Sequence, residues 1–166
     1  MKKVFLLLAV ALSALSLSAQ DTRTGFRFGM EAGVNFGDYT SVSFDFTPGA
    51  QLNKYFYVGG GLSFDILTEN GGLQIPLFAE MKAFLPNRTI AKPYLDLRGG
   101  YAINAADAFG AGLLNIGLGV ELWDHFNVGM GYAGRFASVT HDIPFYGEYD
   151  ENVTFSNGYV KVGYRF

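Results

Sequence analysis

The sequence predicts an all-β fold, an eight-stranded antiparallel up-and-down transmembrane β-barrel preceded by a cleavable signal peptide. Hydrophobic residues alternate with polar ones through most of the chain after its first segment, and the polar positions are rich in glycine. The composition agrees with this fold. Of 166 residues, 49% are hydrophobic, 16% aromatic and only 16% charged, whereas an average soluble domain has roughly 25% charged residues.

The composition also excludes several classes of site. The chain has no cysteine, which rules out a disulfide scaffold, a thiolate zinc site and a cysteine nucleophile. Its formal net charge of -3 argues against a nucleic-acid partner, because proteins that bind nucleic acids carry a basic surplus.

The first segment has the three parts of a secretory signal. Lys2 and Lys3 form a positive region, residues 4–12 are apolar, and residues 13–19 are mostly small and end at Ala19. A membrane-anchor helix needs roughly 20 apolar residues, and serines interrupt this segment earlier. We therefore predict a signal peptide over 1–19, with the exact cleavage site open, and a barrel domain over 20–166. The mature chain has ten basic and fifteen acidic residues, a net charge of -5.

Eight alternating stretches follow, each a predicted strand. The first, over 26–36, is apolar at every even position. Pro48 leaves the register of the second stretch open by one residue, since proline cannot donate in a strand ladder; a slip there would turn Asp45 outward. The predicted strands run over 26–36, 44–52, 56–66, 73–83, 95–103, 114–122, 126–136 and 160–166.

One face of these strands has no acidic or basic residue, and the other carries every strand charge. Six acids and six bases make this second face neutral. They are Arg27, Glu31, Asp45, Asp65, Glu80, Lys82, Asp96, Arg98, Glu121, Arg135, Lys161 and Arg165.

Glycine decides which face points inward. A solvated sheet face favours Thr, Lys, Glu and Arg, because glycine packs nothing in a strand. A crowded lumen needs glycine beside long arginines and beside the inward Tyr57, Tyr94 and Tyr159. Paired charges also suit a closed interior, where ions need partners. The pattern therefore predicts a polar lumen and an apolar surface against lipid.

Strand length and aromatic placement support a membrane barrel. Ten residue steps, tilted by roughly 40°, span about 25 Å, the height of the apolar band of an outer-membrane barrel. Outward aromatic residues occur near both ends of the strands and predict two girdles. They are Phe26, Phe56 and Phe126 at one end, and Phe36, Phe44, Phe64, Tyr101 and Phe136 at the other.

The connections alternate in length. Tight turns are predicted at 53–54 and 123–125, and a connection of modest length at 86–92. The other side of the barrel has connections at 37–43, 67–72 and 104–109 and a long one at 137–154. The longer loops hold seven acidic residues and no Lys or Arg. Outer-membrane barrels have short periplasmic turns and longer external loops, so we expect both termini in the periplasm and an acidic external rim.

Few residues suggest catalysis or metal binding. His125 lies in a short turn beside Asp124, where capping is the simpler role. Ser138, His141 and Asp142 supply a nucleophile, a base and an orienting acid in name, but a triad is defined by geometry. The run YGEYDE (146–151) lacks the regular oxygen spacing of a calcium loop. We predict no catalytic residues, no metal and no cofactor.

The terminal NGYVKVGYRF has Val160, Val162, Tyr164 and Phe166 in alternation and resembles the C-terminal strand that outer-membrane barrels present to their assembly machinery. The body, with FTPGAQLNKYFYVGGGLSF and KPYLDLRGGYAIN, resembles the small outer-membrane β-barrel families of Bacteroidota-type bacteria, called porin-family or OmpX- or OmpA-like barrels. The resemblance covers the mature chain and implies fold and location rather than an activity.

The expected protein is a monomeric, non-enzymatic barrel of the outer membrane with a side-chain-filled lumen. Its partners are outer-membrane lipids, the assembly machinery and an unidentified external ligand. Its role is membrane-structural, or adhesion and ligand presentation through the loops. The alternatives are a rim enzyme acting on lipid A or peptides, a narrow ion or small-solute channel, and a subunit of an envelope complex.

Overall fold

All eight predicted strands are present in the computed structural model, which describes residues 24–68, 71–85, 90–104, 110–143 and 147–166. Residues 1–19 and the start of the barrel domain at residue 20 lie outside the described residues. The strands are β1 (Gly25–Gly37), β2 (Ser41–Gln51), β3 (Phe56–Leu67), β4 (Leu73–Phe84), β5 (Ala91–Asn104), β6 (Gly110–Leu122), β7 (Phe126–Ile143) and β8 (Gly147–Arg165).

Each strand pairs antiparallel with the next, and β1 pairs with β8 to close the barrel. The closing register runs from Gly29↔Arg165 to Gly37↔Asn157. Closure satisfies the backbone groups that the edges of an open sheet would leave unpaired. The predicted eight-stranded antiparallel up-and-down β-barrel is confirmed, whereas the predicted signal peptide over 1–19 lies outside the described residues. Among the described residues, no helix is long and apolar enough to cross a membrane.

The barrel has two distinct ends. The terminal end carries residues 24 and 166 and the turns at 52–55 and 123–125. The hairpin end is where β1, β3, β5 and β7 end and β2, β4, β6 and β8 begin. The tightest connection at the terminal end uses left-handed backbone at Trp123 and Asp124, with φ of 52° and 64°, a conformation that is uncommon for residues other than glycine.

The predicted loop over 137–154 is wrong. The ladder of β7 and β8 continues to Ile143↔Gly147. It extends beyond the ladders on either side, since β6 and β7 stop pairing at Gly112↔Phe136 and β1 and β8 stop at Gly37↔Asn157. An antiparallel ladder is held by backbone hydrogen bonds and needs no apolar face, so it can continue where the apolar alternation stops. For the same reason β5 and β6 begin four residues earlier than predicted.

The register does not slip at Pro48. The β1–β2 pairing is continuous from Gly25↔Gln51 to Asn35↔Ser41, with Phe28 opposite Pro48. On the β3 side, Phe46↔Leu62 and Gly49↔Gly59 keep one register across the proline. Asp45 therefore faces the interior, where it is buried. Pro48 lacks an N–H, but no extra residue is inserted beside it, so the register stays the same on both sides of it.

The barrel buries its polar residues and exposes its apolar ones. Arg98, Arg165, Tyr57 and Lys82 are among its largest fully buried side chains. Exposed large hydrophobic residues occur on all eight strands. This is the reverse of a soluble protein, in which Lys, Glu, Arg and Asp are the residues least often fully buried.

Candidate functional site

The interior of the barrel is the most chemically distinctive region. The twelve charged residues predicted for the lumen occupy inward positions on the eight strands, and all except the half-buried Arg27 are buried. Ion pairs join them in three groups along the barrel axis. We call these the central, terminal and hairpin-end groups.

Arg98 organises the central group. Its Nη1 donates to Asp45 at 2.6 Å, its Nε to Asp96 at 3.0 Å, and its Nη2 to Glu80 at 2.6 Å and to Glu31. These four carboxylates come from β2, β5, β4 and β1, so one guanidinium on β5 crosslinks half of the strands. The planar fork of donors on arginine suits this multiple pairing.

Two lysines complete the central group. Lys82 Nζ lies 2.7 Å from Glu31 and 3.1 Å from Glu80, and Lys161 Nζ lies 2.5 Å from Asp45. Four carboxylates thus face three cations, which leaves this group with one excess negative charge. Each charge has a close partner of opposite sign, as buried ions require.

The terminal group has the opposite excess. Arg165 donates to Glu121 at 2.8 Å, and Arg27 lies 3.7 Å from the other oxygen of Glu121. The Arg165 guanidinium lies over the rings of Tyr57 and Phe84, 4.5 and 5.7 Å from their centroids, and such contacts stabilise desolvated cations. Its two cations and one carboxylate give this group a net charge of +1, which offsets the excess negative charge of the central group.

The hairpin-end group is a neutral pair. Arg135 lies 3.4 Å from Asp65 and donates to Asn115 at 2.9 Å. Ser63 lies 2.6 Å from both Asp65 and Asp45, so it connects this group with the central one. The interior is therefore neutral as a whole and densely bonded.

Glycine makes room for the three inward tyrosines. A methyl group added at Gly49 or Gly59, which are register partners, would meet the Tyr57 hydroxyl at 2.5 or 2.7 Å. Tyr94 lies in the same way over Gly119 and Gly129, and Tyr159 over Gly117 and Gly131. Each tyrosine therefore lies across two strands that carry no side chain at that level.

The interior also holds two phenylalanines that the sequence pattern did not single out. Phe78 and Phe84 are buried on the lumen side of β4. Arg98 lies 5.0 Å from the ring centroid of Phe78, and Phe84 packs on Tyr94 with 5.7 Å between centroids. Their position in the strand indicates that they point inward, because both have even numbers in a strand whose outward residues have odd numbers.

The predicted girdle residues lie on the outer surface. Phe26 is the most exposed, at 76%, and all eight are exposed. Phe26, Phe56 and Phe126 are at the start of their strands, near the terminal end, while Phe36 and Tyr101 are near the hairpin end. The surface between them presents Leu, Ile, Val and Met.

The last strand completes the barrel at the terminal end. Val160, Val162 and Phe166 are exposed outward. The Phe166 N–H donates to the Phe28 carbonyl at 2.8 Å, and the Tyr164 and Phe166 rings pack 4.9 Å apart. Residues proposed as an assembly signal thus belong to the closing seam, and their role in assembly stays a prediction.

The two histidines differ in what the structure describes. His125 stacks on Tyr164, with centroids 5.4 Å apart, and its Nδ1 lies 2.8 Å from the Arg165 carbonyl. This arrangement caps the β6–β7 connection against β8. Ser138, His141 and Asp142 lie in β7, and their side chains are outside the described part.

Within the described residues, no group of three or more His, Asp or Glu side chains has a metal-binding arrangement. Residues 147–151 of the YGEYDE run belong to β8, and their side chains are also outside the described part. Asp38 is exposed at the hairpin end and accepts a hydrogen bond from the Ser156 N–H at 2.7 Å.

Comparison with known proteins shows the fold alone. No protein-family model and no curated protein matches the sequence. The N-terminal β-barrel domain of Pseudomonas aeruginosa OprF superposes with a TM-score of 0.54 at 13% identity, over 86% of this chain and 99% of that one. Neisserial surface protein A gives 0.52 at 11% identity, over 84% and 94%. The chain therefore has the fold of small outer-membrane β-barrels.

Proposed function

We propose that this protein is an integral outer-membrane β-barrel without a catalytic site, which stabilises the membrane or presents its hairpin end to an external ligand. The observation that carries the proposal is that the barrel has a polar, filled interior and an apolar outer surface. Arg98 and its carboxylate partners close the interior, while the outer surface is apolar around the whole barrel.

A lipid environment is the solvent that fits this surface. Phe26, Leu95, Ile116, Leu118 and Val162 are each more than half exposed, and contiguous apolar surface of this extent is rare on soluble monomers. The solved barrels that the chain resembles support the same location. Outer-membrane lipids are then its main partners, and the closed sheet suits a monomer, because the first and last strands, β1 and β8, pair with each other rather than with another chain.

The filled interior argues against a diffusion pore. An eight-stranded barrel is only wide enough for side chains to fill. Here the central group, the inward tyrosines and Phe78 occupy that space. We expect no large steady conductance when the purified barrel is inserted into planar lipid bilayers, while a large porin inserted in parallel conducts. Steady large single-channel currents would contradict the closed barrel.

The non-enzymatic part of the proposal has its own test. His141→Ala removes the only base of the Ser138, His141 and Asp142 set, and His125→Ala serves as the matched histidine control. We expect the lipid A profile and the peptide-cleaving activity of whole cells to be the same with either variant. Loss of a lipid A modification with His141→Ala alone would overturn this part.

A further inference from the structure

A cavity of about 220 Å³ opens at the hairpin end, above the hairpin-end group. Its volume equals that of about seven liquid waters, enough for a small organic molecule. It is lined by Tyr39, Leu67, Gln74, Ala102, Asn104, Ala111, Arg135 and Phe155. It is separate from the apolar outer surface and from the central group of charges.

The walls of this cavity are largely apolar. Leu67, Ala102 and Phe155 lie on three different strands, and the Tyr39 ring meets Phe155 edge to face with 6.3 Å between centroids. Desolvation by burial raises the pKa of the Tyr39 hydroxyl, so this wall is uncharged at neutral pH. Such walls take up the apolar body of a ligand.

The floor of the cavity is its side toward the hairpin-end group, and it carries two polar groups with unmet hydrogen bonds. Arg135 is buried; its Nη1 and Nη2 contact Asn115 and Asp65, but its Nε has no partner among the described residues. The Gln74 Oε1 is also buried without a described partner. A buried group in this state destabilises a protein unless a ligand or water completes it.

The charge of the floor selects the type of head group. Asp65 already neutralises Arg135, so the floor has one unmet donor, one unmet acceptor and no net charge. An anionic head would lie close to the Asp65 carboxylate. An uncharged amide has both complementary groups, because its oxygen is an acceptor for a donor such as Arg135 Nε and its N–H is a donor for an acceptor such as Gln74 Oε1.

We propose that this cavity binds a small uncharged molecule with an apolar body and an amide head. The inference rests on the ligand-presenting part of the proposed function and adds the chemical class of the ligand. The apolar body lies between Phe155, Leu67 and Ala102, and the amide reaches the floor at Arg135 and Gln74.

The test uses two probes of one shape and different charge, 4-fluorobenzamide and 4-fluorobenzoate. Their binding to the full barrel in phosphatidylcholine nanodiscs is followed by fluorine NMR, with empty nanodiscs as the baseline for partitioning into lipid. We expect saturable binding of the benzamide, at least tenfold tighter than that of the benzoate. Equal or tighter binding of the benzoate, or no saturable binding, would overturn the inference.

Variants locate the site. Ala102→Leu fills the cavity and Gln74→Leu removes its acceptor, and each should weaken benzamide binding at least tenfold. Ala79→Leu, on the lipid-facing side of β4, is the matched control and should bind like the parent. Unchanged binding in both cavity variants would contradict the site. A folded, non-conducting barrel that binds neither probe would refute this inference and leave the proposed barrel standing.

Discussion

Single residues hold the interior together unequally. Arg98 is 1% exposed and pairs with four carboxylates, whereas Arg27 is half-buried and lies 3.7 Å from Glu121. The desolvation cost of a buried charge is offset only when it is fully paired. The contribution of each lumen residue therefore depends on how many partners it completes.

Replacing Arg98 tests this difference. Arg98→Met leaves four buried carboxylates with only Lys82 and Lys161 as cations, and breaking a buried pair costs about 3–5 kcal/mol. We expect a loss of that order in the free energy of unfolding, measured by urea titration in lipid vesicles. Arg27→Met, the control, should cost less than about 1 kcal/mol. Equal losses would mean that the Arg98 contacts do not stabilise the barrel.

At the scale of strands, the sequence pattern predicts which face each side chain occupies but not where each strand ends. The parity of β1, β4 and β7 could be predicted, because each backbone step turns the side chain to the other face. The end of β7 could not, because its ladder continues to Ile143 where no apolar alternation marks it. Phe78 was missed because aromatic residues suit either face of a strand. Its even position on β4 turns it inward, where its ring centroid lies 5.0 Å from Arg98.

The glycine pair of β6 and β7 gives a prediction at this scale. Gly119→Ala puts a methyl group 2.5 Å from both the Tyr94 hydroxyl and the Val128 carbonyl, so it should destabilise the barrel by about 1–3 kcal/mol, as overpacking does. Urea titration in vesicles measures this effect.

Gly99→Ala is the matched control. It lies on the neighbouring strand β5, and a methyl group there meets nothing within 4 Å. We expect it to leave the unfolding free energy unchanged or slightly higher, since alanine restricts the unfolded chain. A Gly119→Ala barrel as stable as the Gly99→Ala barrel would disprove the space-filling role of glycine.

The whole molecule depends on lipid for its outer surface. Without detergent or lipid, residues such as Leu118 and Val162 would be exposed to water, so the mature chain should aggregate in buffer and fold when detergent is added. Folded and boiled samples should then migrate differently on a gel. A monomer that stays folded in buffer alone would contradict a membrane location.

The orientation of the barrel can be tested because the chain has no native cysteine. Thr68 is exposed at the hairpin end and Lys54 at the terminal end. We expect Thr68→Cys to react with a membrane-impermeant maleimide on intact cells and Lys54→Cys to react only after the outer membrane is opened. The opposite labelling pattern would place the termini outside the cell.

The sequence by itself determined the number of strands, their parity and the division between a neutral polar interior and an apolar surface. These are local properties, because side-chain direction along a strand follows from its geometry. Only the tertiary structure decided which charges meet. Arg98 binds carboxylates up to 67 positions away, and the cavity at the hairpin end brings Tyr39, Arg135 and Phe155 together. Barrel closure and strand stagger create these contacts, and neither can be predicted from the spacing of residues along a single strand.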